Sequence, residues 1–322
     1  MFLYDRRGIK LNAHDFWLDA RRKVPFSFVS HGHSDHLKNH EKILATPPTV
    51  QIHALRARQR DVIELECGRV YELKESRVEL FPAGHVLGSA MIRVQHDDVS
   101  LLYTGDFKIK HSWTARPIEI PQADILIMES TFGSPDYVYN HSMDFLVDEL
   151  FNFIDDCHKE SIVPIVMGYT LGKAQEAMKI IGDAGYTTRV HRSAWEIAAI
   201  YRQNGVQFSN CFLWNGEPVR DRDVLIIPPH LFRYRKVKSL PARFRTVLLS
   251  GWAGSPTGGR FGSDHSIPLS DHADFEELLQ FVKTVNPQKV YTTHGFDDFP
   301  HYIKNIGYDA EILSYTDQSE LF

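Results

Sequence analysis

Short apolar runs bounded by polar or turn-forming residues recur along the chain and predict strands. They lie at Phe26–Ser30, Val78–Phe81, Ala90–Val94, Ser100–Tyr103, Asp124–Met128, Ile162–Val166, Val224–Ile227, Thr246–Leu249 and Lys289–Thr293. Apolar residues three and four apart predict helices over Met143–Cys157, Lys173–Ile181, Ala194–Gln203 and Asp274–Val285. The first third is strand-rich, with His96-Asp97-Asp98 as a hairpin turn. The middle alternates strand and helix, the pattern of a parallel α/β unit. The Gly- and Ser-rich stretch Gly251–Ser266 reads as a joint to the C-terminal part.

Polar residues placed just after these strands change the picture. His31 and His33 follow the first run, His85 the second, Asp106 the fourth, Glu129 the fifth and His294 the last. In layered α/β folds, ligands bind at that carboxyl edge of the strands.

Composition bounds the class. The chain has 322 residues, 43% hydrophobic and 24% charged, as expected of a globular protein with one or two domains. No window approaches 18 consecutive apolar residues, and the charged start MFLYDRRGIK does not read as an export signal. Cys67, Cys157 and Cys211 are far apart, with no CxxC pair, which fits reduced thiols in a cytoplasm and argues against a disulfide framework. The net charge of −5 points to no polyanion partner, but the average hides an asymmetry. Between Val224 and Ser263 there is no acid, while Arg233, Arg235, Lys236, Lys238, Arg243, Arg245 and Arg260 form a basic stretch.

The sharpest chemistry is Ser30-His31-Gly32-His33-Ser34-Asp35-His36. His31 and His33, two apart in an extended loop, point the same way and can chelate one ion. Asp35 and His36 face a second. Imidazole and carboxylate suit Zn²⁺, and Mn²⁺ also fits this donor set. His85 stands among glycines in Ala83-Gly84-His85-Val86-Leu87-Gly88, where backbone can approach an ion closely. Asp106 ends Tyr103-Thr-Gly-Asp106 with a carboxylate able to bridge two metals, and His294 supplies a further imidazole. Gly168-Tyr-Thr-Leu-Gly172-Lys173 is not an ATP loop, because its glycines are too close and no Ser/Thr follows the lysine.

The segments HGHSDH, AGHVLGSA, YTGDFK, MESTFG, LSDHADF and TTHGF, in this order, resemble the metallo-β-lactamase superfamily and, within it, the β-CASP branch of nucleic-acid nucleases. Gly8-Ile-Lys-Leu11, Phe16-Trp-Leu-Asp19 and Tyr169–Gln175 are most similar to bacterial ligase-associated DNA exonucleases. The resemblance implies an αββα metallo-β-lactamase sandwich (1–134 and 263–322) with an inserted β-CASP α/β domain (135–262). It implies that His31, His33 and His85 bind a first zinc, that Asp35, His36 and His294 bind a second, and that Asp106 bridges. Asp19 is implied as support for the histidine loop. Glu129, His272 and His294 match the three β-CASP motifs. His265 does not match its neighbourhood's motif and reads as surface.

Two such ions, about 3.5–4 Å apart, supply a hydroxide at neutral pH and clamp a phosphoryl oxygen. A sugar alkoxide needs a proton as it leaves, and His272 oriented by Glu129 is the candidate donor. The expected activity is a two-metal phosphodiesterase, an exonuclease acting on DNA in repair or processing. The alternatives are an RNA-processing nuclease of the same branch, a thioester hydrolase, and an inactive nucleic-acid-binding scaffold. Lys173, Arg233, Arg235, Lys236, Arg243 and Arg245 are expected to meet backbone phosphates, with Phe232, Tyr234, Phe244 and Trp252 available for base stacking. Relatives imply a DNA ligase and a helicase as partners, and no membrane.

Overall fold

A computed structural model describes residues 1–57, 61–233, 240, 243–254 and 262–315. The chain forms two compact units: Met1–Ile109 with Ala115–Val138 and His272–Phe322, and Lys110–Thr114 with Tyr139–Asp271.

In the first unit, strands with continuous apolar runs, such as Val99–Tyr103 and Ile125–Ser130, are buried on both faces, while alternating ones, such as Ser76–Pro82, bury one face more than the other; they pair into two sheets. One sheet runs Phe2–Asp5, Gly8–Leu11, Trp17–Leu18, Phe26–Phe28, Lys42–Ala45, Asp61–Glu64. The other runs Ala310–Ile312, Lys289–Gly295, Ile125–Ser130, Val99–Tyr103, Ala90–His96, Ser76–Pro82, Val70–Leu73. Between them, Leu18, Phe28 and Leu44 pack against Val78, Leu80, Ile92, Leu101 and Ile127. On the outer face of the second sheet, Leu102, Leu126, Met128 and Val290 pack against Leu278, Phe281 and Val282 of helix Phe275–Val285. Val29 and Ile43 carry Val50 of helix Pro47–Arg56 on the outer face of the first. The layering is helix–sheet–sheet–helix, the αββα sandwich.

Direction follows from the pairings. Val99–Tyr103, Ile125–Ser130 and Lys289–Gly295 are parallel neighbours. Ser76–Pro82 is antiparallel to Ala90–His96, itself antiparallel to Val99–Tyr103 across the hairpin where Val99 pairs with His96. Residues that follow the four co-directional strands, all but Ala90–His96, therefore emerge at one edge.

The second unit is an α/β domain with one parallel sheet, in the order Cys211–Trp214, Thr187–His191, Asp223–Ile227, Val163–Met167, Phe244–Leu249, His265–Ile267. Its central strands are buried on both faces, as crossover helices require. Val166, Ile226 and Val247 pack against Leu150, Ile154, Ala174 and Met178, while Ile165, Leu225 and Leu248 form the opposite layer. The unit extends through Asp271, past the residue-262 boundary expected from sequence, because His265–Ile267 hydrogen-bonds onto Phe244–Leu249. Among the described residues, no helix is long and apolar enough to cross a membrane.

Candidate metal centre

The site lies in the first unit, at the edge where the strands end. Asp19 follows Trp17–Leu18, the His31–His36 loop follows Phe26–Phe28, His85 follows Ser76–Pro82 and Asp106 follows Val99–Tyr103. Glu129 is next to last in Ile125–Ser130, and His294 is next to last in Lys289–Gly295. Close backbone approach makes glycine obligatory here. Gly84 has φ +76°, and a Cβ there would lie 2.2 Å from the Lys108 carbonyl oxygen. This packing of loop on loop by itself requires the glycine before His85. A Cβ on Gly105 would lie 2.6 Å from Ser30 Cβ.

Three imidazoles converge. His31 Nε2 and His33 Nδ1 are 3.0 Å apart, and His85 Nε2 is 3.1 Å from His33 Nδ1. Asp106 Oδ2 lies 3.4 Å from His31 Nε2 and 3.9 Å from His85 Nε2. Two nitrogens on a tetrahedral zinc at about 2.0–2.1 Å stand about 3.3 Å apart, so these four donors are spaced for one ion.

Their lone pairs point the right way. Ser30 Oγ donates its only proton to Asp19 Oδ2 at 2.6 Å, so at 3.0 Å it accepts the Nδ1–H of His31. That tautomer leaves His31 Nε2 as a lone pair facing the cluster. Likewise His36 Nδ1 donates to Asp19 Oδ2 at 2.8 Å, so Nε2 faces Asp35 Oδ2 and Asp106 Oδ1, each 3.7 Å away. Asp106 thus turns one oxygen to His31 and His85 and the other to His36. The His294 ring is 6.1 Å from that of His36, and its Nε2 accepts from Arg21 Nη2 at 3.0 Å. The set Asp35, His36 and His294 is looser than the first, with the Asp35 side chain 76% exposed.

The electrostatics select a cation. Burial, reinforced by the surrounding imidazoles, holds His31 well below its ordinary value, so it is neutral and free to ligate. Burial also opposes charge on His36, but Asp106, Asp19 and Asp35 overcome it and raise the imidazolium to about 10. Burial raises the Asp106 carboxyl, with Glu129 adding to the rise and His36 opposing it. A positive charge among these carboxylates is what the pocket stabilises, and zinc or manganese provides one.

Beside the cluster, His272 Nδ1 lies 2.8 Å from Glu129 Oε1. The same Oε1 accepts the Phe107 N–H at 2.9 Å, and Oε2 accepts the Thr131 N–H at 3.3 Å. Burial pushes the Glu129 carboxyl up, but the His272 charge and these hydrogen bonds outweigh it and hold it below its ordinary value. The His272 ring stands 4.7 Å from that of His85.

The expected phosphate contacts fare differently. Lys173 opens helix Lys173–Asp183 but is buried, its ammonium 3.4 Å from Asp271 and 3.8 Å from Glu176. An ammonium enclosed by carboxylates is an internal ion pair, not a surface contact. Arg243 is exposed, and Arg245 lies 3.7 Å from Glu160 with its guanidinium over Phe153. Arg233 ends the short helix Pro229–Arg233, while its side chain, Arg235, Lys236 and Tyr234 lie outside the described residues. Sequence reasoning missed Ser30, Tyr103, which donates to Asp19 Oδ2 at 2.9 Å, and Arg21. Only the cationic run Arg21-Arg22-Lys23 just after Asp19 was a signal.

Residues 265–310 match the family model of the Zn-dependent metallo-hydrolase RNA specificity domain. An RNase J-like protein of Methanocaldococcus jannaschii is 31% identical over 85% of this chain and 82% of its own length. The chain belongs to the β-CASP branch of the metallo-β-lactamase superfamily. This is a branch of metal-dependent nucleases. A protein of Opitutus terrae named "Probable DNA ligase" is 35% identical over 98% of the chain, which spans 31% of that relative's length. The DNA cross-link repair protein SNM1 of Arabidopsis thaliana is 24% identical over 83% of the chain and 60% of its own length. A crystal structure of a protein of unknown function from Enterococcus faecalis shares the fold, with a TM-score of 0.64 over 90% of this chain and 79% of that one, at 16% identity.

Proposed function

We propose that this β-CASP chain is a two-metal nuclease that hydrolyses phosphodiester bonds in DNA, as an exonuclease in DNA repair or processing. One observation carries the reading: the Glu129–His272 pair stands beside the cluster of His31, His33, His85 and Asp106. His31, His33 and His85 would hold one ion, Asp35, His36 and His294 a second, with His294 Nε2 exchanging its contact with Arg21 for the ion, and Asp106 both. When bound, the ions supply Lewis acidity and an activated water for in-line attack at phosphorus.

The chain's own residues do the rest. Asp19 holds Nδ1 of His36 and, through Ser30, Nδ1 of His31, so that both Nε2 atoms face inward: that of His31 as a lone pair, that of His36 with a proton that an ion would replace. His272 gives Nδ1 to Glu129, which leaves Nε2 to protonate the departing sugar oxygen. Glu129, held by two backbone N–H groups, cannot swing away and stabilises the imidazolium. A thioester hydrolase expels a thiolate, which needs no such acid, so the pair favours the phosphodiesterase. The filled ligand positions disfavour a purely binding scaffold.

The preference for DNA draws on the name and the full-chain coverage of the Opitutus terrae relative. The same name supports a DNA ligase as partner, while the helicase rests on the resemblance to ligase-associated exonucleases alone. Arg243 and Arg245, with Arg233, Arg235 and Lys236, are the proposed backbone-phosphate contacts. Free Cys67, Cys157 and Cys211 fit a reducing cytoplasm. A second reading, an RNA-processing nuclease, is favoured by the RNA specificity domain and the RNase J-like relative. End-labelled single- and double-stranded DNA and RNA, with Zn²⁺ or Mn²⁺ and an Asp35→Ala/His36→Ala control, tests both. Metal-dependent shortening of DNA supports the proposal, cleavage of RNA alone supports the second reading, and cleavage by the double variant refutes the metal mechanism.

A further inference from the structure

Away from the metal edge, the first unit holds a second group of histidines. Ser76 opens the strand Ser76–Pro82 and pairs in register with His96. The length of that strand, roughly 20 Å, lies between Ser76 and the loop that carries His85. Ser76 Oγ stands 2.7 Å from His14 Nε2 and 2.9 Å from His96 Nδ1. These three residues line a cavity of about 160 Å³, with Leu11, Ala13 and Val94 among its other walls. His14 is 5% exposed, and its Nδ1 is buried without a hydrogen-bond partner.

Proton counting orients the chain of contacts. A serine hydroxyl has one proton to give, so one of the two ring nitrogens receives it and the other donates to Oγ. Asp97, 3.8 Å from His96 Nε2, favours a proton on that atom. His96 Nδ1 then accepts from Ser76, and His14 Nε2–H donates to it, which leaves His14 Nδ1 as a lone pair. Burial lowers His14 below its ordinary value, with His96 and Lys74 adding to the effect, so the ring stays neutral and Nδ1 stays an acceptor. A buried acceptor left unpaired is costly, and this one belongs to a ring that borders open space.

We propose that this cavity binds a small uncharged ring compound bearing one hydroxyl, of the phenol class. Its hydroxyl donates to His14 Nδ1 and its ring packs on Leu11 and Val94. An apolar cavity of about 150 Å³ admits benzene, whereas a water takes up about 30 Å³ in the liquid. The volume therefore fits one ring, and a single water on Nδ1 would leave most of it unfilled. Apolar walls with a few placed polar groups are the composition of a ligand site. Nδ1 is itself covered, so the His14 ring turns slightly to meet the hydroxyl, within a loop whose Asn12, Ala13 and Asp15 are exposed. A cation fits less well, because His96 Nε2 carries a proton and no carboxylate lines the cavity among the described residues.

Phenol and toluene, titrated into the full chain with the imidazole nitrogen NMR resonances of His14 in view, test this independently of any nuclease activity. Phenol should bind saturably and shift the Nδ1 resonance. Toluene, of the same size but with no donor, should bind without that shift. In His14→Leu the phenol-to-toluene affinity ratio should fall about 2- to 12-fold, the contribution of one hydrogen bond. Ala13→Trp, at an exposed position, should fill the recess and abolish binding of both. Absence of saturable phenol binding to wild type, an equal Nδ1 shift with toluene, or an unchanged ratio in His14→Leu overturns the inference. If His14→Leu does not fold, Ala13→Trp decides: a phenol shift at Nδ1 that survives there overturns the inference, and one that disappears upholds it.

Discussion

Asp19 is the point at which a single atom change should disturb both stability and metal binding. Its Oδ2 accepts from Ser30 Oγ, His36 Nδ1 and Tyr103 Oη, and its Oδ1 from the Ser30 N–H at 2.8 Å. Burial raises the carboxyl, yet His36 and the donated hydrogen bonds overcome this and hold it below its ordinary range, so the group is ionised. Asp19→Asn keeps the shape but replaces one acceptor with a donor. With the amide oxygen kept toward the three donors, the –NH₂ faces the Ser30 N–H, and one charge-assisted bond becomes a donor–donor contact. Hydrogen bonds to charged groups contribute about 1.5–3 kcal/mol each, and the remaining three weaken as the charge goes. A loss of roughly 3 kcal/mol is expected, about two orders of magnitude in the folding constant. Released from Asp19, His36 and His31 lose their fixed tautomers, which should weaken zinc binding 10- to 100-fold. Denaturant unfolding of the metal-free protein and competitive zinc titration read the two effects separately. An Asp19→Asn protein with unchanged midpoint and zinc affinity would refute the reasoning, because no other described acceptor orients both histidines.

Other expectations follow from single contacts. His272→Ala should lower kcat for phosphodiester cleavage by about 10²–10⁴ with zinc content unchanged, and Glu129→Gln should fall in the same direction by less; full activity in either removes the pair from the mechanism. Gly84→Ala places a Cβ against the Lys108 carbonyl at positive φ and should destabilise by about 2–4 kcal/mol with reduced zinc binding, checked by unfolding and metal analysis. Burial holds buried His40 down to about 4, while its Nδ1 accepts the Val24 N–H. The folded state stays neutral where the unfolded chain takes up a proton, so this histidine makes stability fall as pH drops from about 6.5 to about 4. His40→Asn should flatten that part of the curve, and identical slopes in the two proteins would show that another group titrates.

Most central strands were legible because burial on both faces leaves uninterrupted apolar runs, as in Val163–Met167 and Asp223–Ile227. Thr187–His191 escaped because only Thr188 and Val190 are buried, and Thr, Arg and His dilute the pattern. Arg189 sits there because Asp223 pairs with it at 2.8 Å, a partner invisible to local periodicity. Phe2–Asp5 and Gly8–Leu11 are only four residues each and are joined by Arg6-Arg7, which is no hairpin-turn signature, and helix Pro47–Arg56 opens on two prolines. In the site, ligand residues stood out by type and spacing. Arg21, Ser30 and Tyr103 did not, since ordinary residues acquire meaning only through contacts such as Arg21 with His294, across 273 positions.

The pairing of Ile125–Ser130 with Lys289–Gly295 has a consequence for biosynthesis. Roughly 160 residues separate the two, so at about 5–20 residues per second the ribosome needs some 10–30 s to deliver the later strand. Throughout that interval one edge of the earlier strand is an open template, and the nascent chain lacks His294, and for most of it His272 as well. The polypeptide is therefore most prone to aggregate, and incapable of the proposed chemistry, until Lys289–Gly295 has emerged and paired.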